Sequence, residues 1–207
     1  MTINAKQLLS SFLAGIMLFC SVGVTAYAAP VDIDEATKQK YYAEYVEIAD
    51  EVAKETELDI SVLPMNEFTD EDWLTPEEFR SLITTIANWR IVFTEQSGIQ
   101  PFSSASATKT ATVSASGQNY TIAVNGSFET TLNTSTGRQH FAGINSITSS
   151  MQSGYGTWTQ TGYESQSLDS ARTYAITVSG KLTVAGAVFS NKTAYVEFYC
   201  GATGIVS

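Results

Sequence analysis

A single histidine limits what nucleophile and base chemistry this chain could perform. His140 would have to be the base, with Asp169 or Glu164 orienting it and one of the many serines as nucleophile. No Gly-x-Ser-x-Gly elbow occurs, and Ser153-Gly154-Tyr155-Gly156 reads as a turn. Arg138 stands two residues before His140 at the start of a strand pattern, where a histidine is ordinarily a surface or edge residue. Cys200 offers the thiol version, but no helix start or cation near it in sequence would stabilise a thiolate. These patterns assign no catalytic residue.

Oxygen ligands of the kind calcium prefers gather at Asp70-Glu71-Asp72 with Glu67, Glu77 and Glu78. They do not alternate around a glycine as an EF-hand loop does, so the reading is a solvated acidic turn and no metal. Gly-rich phosphate loops and zinc-ligand clusters are missing from the sequence, and no cofactor is expected. Glu129, Glu164, Asp169 and Glu197 permit paired-carboxylate hydrolysis without pointing to it. The aromatics say more. Tyr155, Trp158 and Tyr163, with Tyr174, Tyr195 and Tyr199, lie in a stretch poor in charge. Exposed Tyr and Trp can stack on sugars or anchor protein contacts. Tyr155, Trp158 and Tyr163 are therefore the candidate binding residues, with a cell-wall glycan or a protein as the candidate partner.

The formal charge of −10 is unevenly spread. Residues 29–97 hold 17 acids against five cations, a net of −12, whereas residues 98–207 hold four acids against five cations, a net of +1. An acidic surface of this kind argues against nucleic acid as a partner, because phosphate binding needs a basic one.

The elements that must position these residues begin with an export signal. Lys6 precedes an apolar run from Leu8 to about Ala26 that ends in Ala26-Tyr27-Ala28, the small-residue pattern of a cleavage site. Residues 1–28 are thus expected to be a cleaved signal peptide, leaving a secreted chain with no membrane span. Cys20 leaves with it, and Cys200, on the same strand face as Val196 and Phe198, is expected to be buried. Residues 29–96 form an acidic helical region. Tyr41, Tyr45, Ile48 and Val52 recur at helical spacing from Asp34 to about Glu55, with Asp34 as cap. Thr75-Pro76-Glu77-Glu78 opens a second helix whose apolar stripe runs from Phe79 through Trp89 to about Arg90. Leu58 to Met65 is a connector or short strand, and the two helices predict a helical hairpin.

A Ser/Gly/Ala linker is expected over residues 97–108, and the hydrophobic period then changes from 3.6 to 2. Strand patterns cover Thr110 to Ser116, Tyr120 to Leu132, His140 to Met151, Thr157 to Ser165, Tyr174 to Val178, Leu182 to Val184 and Ala194 to Cys200. Ser116-Gly117-Gln118-Asn119 and Ser179-Gly180-Lys181 read as turns. The fold class is α+β: a helical hairpin followed, over residues 109–207, by an antiparallel β-sandwich or small β-barrel of about six or seven strands.

Tyr-Tyr-Ala-Glu-Tyr-Val-Glu-Ile (41–48), Trp-Leu-Thr-Pro-Glu-Glu-Phe (73–79) and Val-Glu-Phe-Tyr-Cys (196–200) resemble segments of small secreted proteins of unknown function from Gram-positive bacteria of the clostridial kind. That resemblance implies a host class and a secretion route, and carries over no catalytic residue or ligand. The reading favoured by the residues is a secreted, non-catalytic binding or interaction module. Its alternatives are an extracellular hydrolase acting on cell-wall or polymeric substrate, and a toxin-like effector whose acidic front is a pro-region.

Overall fold

The computed structural model describes residues 33–95 and 105–207; the expected signal peptide and residues 97–104 of the expected linker lie outside them. Helix α1 (Glu35–Thr56) begins where the Asp34 carboxylate accepts the Thr37 N–H at 2.8 Å and the Thr37 hydroxyl at 3.1 Å. This satisfies a donor that the first turn leaves open, and the same bonds hold the Asp34 carboxyl below its ordinary value. The helix ends at Glu57, whose φ of 57° is left-handed. Tyr45, Ile48, Ala49 and Val52 are its buried stripe, at the three- and four-residue steps that share one face.

Strand β1 (Ile60–Val62) and two short 3-10 turns lead to helix α2 (Pro76–Asn88). Thr75 and Glu78 cap its start reciprocally. The Thr75 N–H donates to Glu78 Oε2 at 2.9 Å and the Glu78 N–H to Thr75 Oγ1 at 3.3 Å, with Pro76 at the first helical position. The helix stops at Asn88, two residues short of the predicted end, and Trp89 becomes its C-cap. The helices meet where the Tyr45 ring stacks on Phe79 at 4.0 Å between centroids. The Tyr45 hydroxyl donates to the Leu74 carbonyl and accepts the Leu74 N–H at 2.8 Å. Burial pushes the Tyr45 phenol above its ordinary pKa.

The remaining elements are strands: β2 (Ile91–Val92), β3 (Thr94–Glu95), β4 (Ser106–Ala115), β5 (Gln118–Asn133), β6 (Arg138–Ser153), β7 (Thr157–Leu168), β8 (Thr173–Val184) and β9 (Ala187–Tyr199). They form two open sheets. The first has the order β1-β9-β8-β7, with β2 also lying parallel on β9; the second has the order β3-β4-β5-β6. The other pairings are antiparallel. Ser116-Gly117 and Ala185-Gly186 make two-residue hairpin links, each with both residues at positive φ, the geometry that matches strand twist.

Two expectations need correction. Ser179-Gly180-Lys181 is not a turn but the middle of β8, where the register shifts between Gly180 and Leu182. Gly180 is there because the Trp158 ring lies across it: a Cβ at this position would meet Trp158 Cζ2 at 2.3 Å. The linker, for its part, cannot extend to residue 108, since β4 already pairs with β5 from Ser106.

The two sheets meet through aromatic rings. Phe128 of β5 lies 5.0 Å from Phe198 of β9, and Phe141 of β6 lies 4.8 Å from Tyr174 of β8. The buried faces of α1 and α2 join the same hydrophobic cluster. The acidic region also supplies β1 and β2 to the first sheet and β3 to the second. No helix among the described residues is long and apolar enough to cross a membrane.

Candidate binding cleft

The residues that could have formed a catalytic centre are dispersed. Glu164 pairs with Thr177 from β7, the end strand of the first sheet, while Asp169 follows β7 and accepts the Thr173 hydroxyl at 3.1 Å. His140 sits on β6 opposite Thr131, and its Nδ1 is buried without a hydrogen-bond partner. None of the three lines either of the two hollows described below. Cys200 is fully buried and unpaired at the end of β9, and burial raises its thiol pKa. The acidic turn serves local structure: Asp72 Oδ2 accepts the Thr69 N–H at 2.8 Å, and Glu78 caps α2. Among the described residues, no three His, Cys, Asp or Glu side chains are grouped to hold a metal ion.

The three candidate aromatics do not form one surface. Tyr155 is 49% exposed in the turn between β6 and β7, and Tyr163 is 43% exposed farther along β7. Trp158 is corrected from surface to interior, at 8% exposure. Its indole N–H donates to Ser149 Oγ at 2.7 Å, and that hydroxyl donates to Gln160 Oε1 at 2.8 Å. Gln160 Nε2 then reaches the Ile147 carbonyl at 3.2 Å. Trp158 thus ties the edge of one sheet to the edge of the other, with Gly180 providing its slot.

A different set converges. β9 turns Val196 and Phe198 inward, so Tyr195, Glu197 and Tyr199 point outward by the two-residue alternation of a strand. The parallel pairing of Ile91 with Ala194 sets the residues that follow α2 along the edge of β9. Between them lies a cleft of about 300 Å³. Leu58, Trp89, Arg90 and Ile91 line it from one side, Thr177, Thr193 and Tyr195 from the other, and Asn191 and Lys192 complete the lining. The Tyr195 hydroxyl donates to Glu197 Oε1 at 2.6 Å. That bond orients the ring and raises the phenol pKa.

Lys192 anchors the cleft from below. Its inward-facing Nζ donates to the Ile86 and Ala87 carbonyls at 2.6 and 2.9 Å in the last turn of the helix, where Ile86 also accepts the Trp89 N–H at 3.2 Å. Burial pulls its pKa down to about 8. The ammonium therefore fixes the end of α2, and with it Trp89, against β9. Aromatic faces, an amide, two threonine hydroxyls and a guanidinium can stack on and hydrogen-bond a polar ligand. The cleft lining contains no carboxylate and no nucleophile–base pair.

A larger hollow of about 420 Å³ lies between α1 and α2 and is lined by Glu44, Glu47, Glu51 and Glu77 with Arg80. Arg80 is committed to Glu51 at 2.6 Å, and the hollow presents mainly the solvated acidic side of the helices.

Trp89, Arg90 and Asn191 were not legible as site residues. Trp89 reads as the last member of a helix stripe, and only the position of the helix stop frees it. Tyr195 was findable from strand parity alone, since it alternates with buried Val196 and Phe198. No family model, curated protein or solved structure matches the chain.

Proposed function

We propose that the chain is exported through residues 1–28 and acts outside the cell as a non-catalytic binding module built on a β-sandwich. Its ligand is a glycan, bound at the cleft between Trp89 and Tyr195. The observation that carries this reading is the pairing of two partly exposed aromatic rings with Arg90, Asn191, Thr177 and Thr193, and with no acid, in one cleft. Stacking on sugar faces and hydrogen bonding to hydroxyls call for these groups. The cell wall of a Gram-positive host is the glycan source within reach of a protein released by this route. The two alternatives draw less support: Glu164, Asp169 and His140 do not share a hollow, and the acidic helices are part of the common core rather than a cover over it.

Pull-down on purified cell walls and soluble wall fragments, followed by calorimetry, tests the assignment. Trp89→Ala and Tyr195→Ala should each weaken binding about tenfold or more, since stacked aromatics contribute most of such contacts. Tyr155→Ala should leave it unchanged. Equal binding by the wild type and both cleft variants would remove the cleft from the function.

A further inference from the structure

Among the described residues, the last half of β7 has a free edge on a sheet whose neighbouring strands are buried. Tyr163 pairs with Val178, which pairs with Ala194, so the three share the inner face. Val178 and Ala194 have no exposed surface, whereas Tyr163 is 43% exposed. The next inner positions repeat the contrast: Ser165 is exposed beside buried Ile176 and Val196. Among the described residues the cover over the inner face therefore stops between β8 and β7. Toward its other end, β7 is tied to β6 through Trp158, Gln160 and Ser149. Beyond the register shift between Gln160 and Gly162, the backbone bonds of residues 163–167 among the described residues run to β8 alone. An edge strand without lysine, proline or an inward charge is open to pairing with another strand.

We infer that a second copy of this chain occupies this edge, the two β7 strands pairing antiparallel about a two-fold axis at Ser165. The two-fold makes the surface self-complementary. In this register Tyr163 faces Ser167 of the second copy, so each phenol gains cover along the exposed inner row. Glu164, the one charged residue of β7, faces Gln166 of the second copy, a carboxylate against an amide. Centring the pair on residue 164 would place the two glutamates opposite each other, which like charges disfavour. The acid-rich helices do not oppose the contact: α1 and β1 are joined to the first sheet at its β1 side, and β7 is the opposite end.

Sedimentation of the purified protein over a concentration series, with charge variants at the seam, tests this. The wild type should show a monomer–dimer equilibrium by about 0.1 mM, in keeping with a small interface. Gln166→Glu creates two like-charge pairs per dimer and should weaken association about tenfold. The double variant Glu164→Lys with Gln166→Glu restores opposite charges in this register alone and should recover wild-type association. Both variants change exposed side chains, and their thermal melts report the fold independently. A wild type that stays monomeric at about 1 mM would overturn the inference and leave the edge to an extended peptide of another protein. A dimer insensitive to Gln166→Glu, or not restored by the double variant, would overturn it as well.

Discussion

Replacing Lys192 by methionine makes the structure answer for its buried cation. In the folded protein Lys192 is 6% exposed and its pKa falls from 10.5 to about 8. A base whose folded pKa lies below its unfolded one binds fewer protons folded than unfolded between those values. Stability should therefore rise as pH increases from about 8 to 10.5 and be flat, from this group, below 8. The interval of 2.5 units between the two values, at about 1.4 kcal/mol per unit, sets the full rise at about 3 kcal/mol. The carbonyls of Ile86 and Ala87 favour the cation and act against burial, so about 1–3 kcal/mol is the expected range. Tyr45 and Cys200 have raised pKa values. Each loses stability as pH rises, Cys200 through the region above 9 and Tyr45 above 10, opposite in sign to Lys192. Subtraction isolates the lysine: the urea-unfolding free energy of the wild type minus that of the Lys192→Met variant should increase with pH from 8 to 10.5. At neutral pH the lost bond to the Ala87 carbonyl and the relieved burial of the charge act in opposite directions, while Ile86 keeps the Trp89 N–H, so the pH dependence rather than the absolute difference carries the test. A difference that is flat across that pH range would refute the placement of Nζ in the interior.

Gly180→Ala should destabilise the fold by about 1–3 kcal/mol, because the new Cβ must push aside a Trp158 ring held by Ser149; the measurement is a denaturant melt with tryptophan emission as probe. A chain restricted to residues 105–207 should bind a hydrophobic dye and lack a cooperative melt, because it loses the core residues Tyr45, Phe79, Leu82 and Ile86. A cooperative melt from that fragment would instead restore the pro-region reading.

What the sequence shows and what it hides divide along a physical line. Caps are local: Asp34 with Thr37, and Thr75 with Glu78, work within one turn, so both helix starts could be placed from neighbouring residues. Strand parity is local too, which is why Val196, Phe198 and Cys200 could be assigned to the interior. Gly180 and Trp158 failed for one shared reason. A glycine followed by lysine looks like a turn, and a tryptophan among Thr and Gly looks like a surface ring. Each is explained only by the other, 22 positions away in the chain, once β7 and β8 lie side by side. Lys192 follows the same rule at longer range: nothing near it announces burial, since its acceptors come from the end of a helix about a hundred residues earlier. The candidate cleft inherits this dependence. It exists only because β2 lies parallel on β9 and Lys192 fixes the helix end beneath Trp89. The acidic front and the β-rich back differ in charge and period, yet the cleft needs both. A reading from composition separates them, while the core and the parallel strand join them around one cleft.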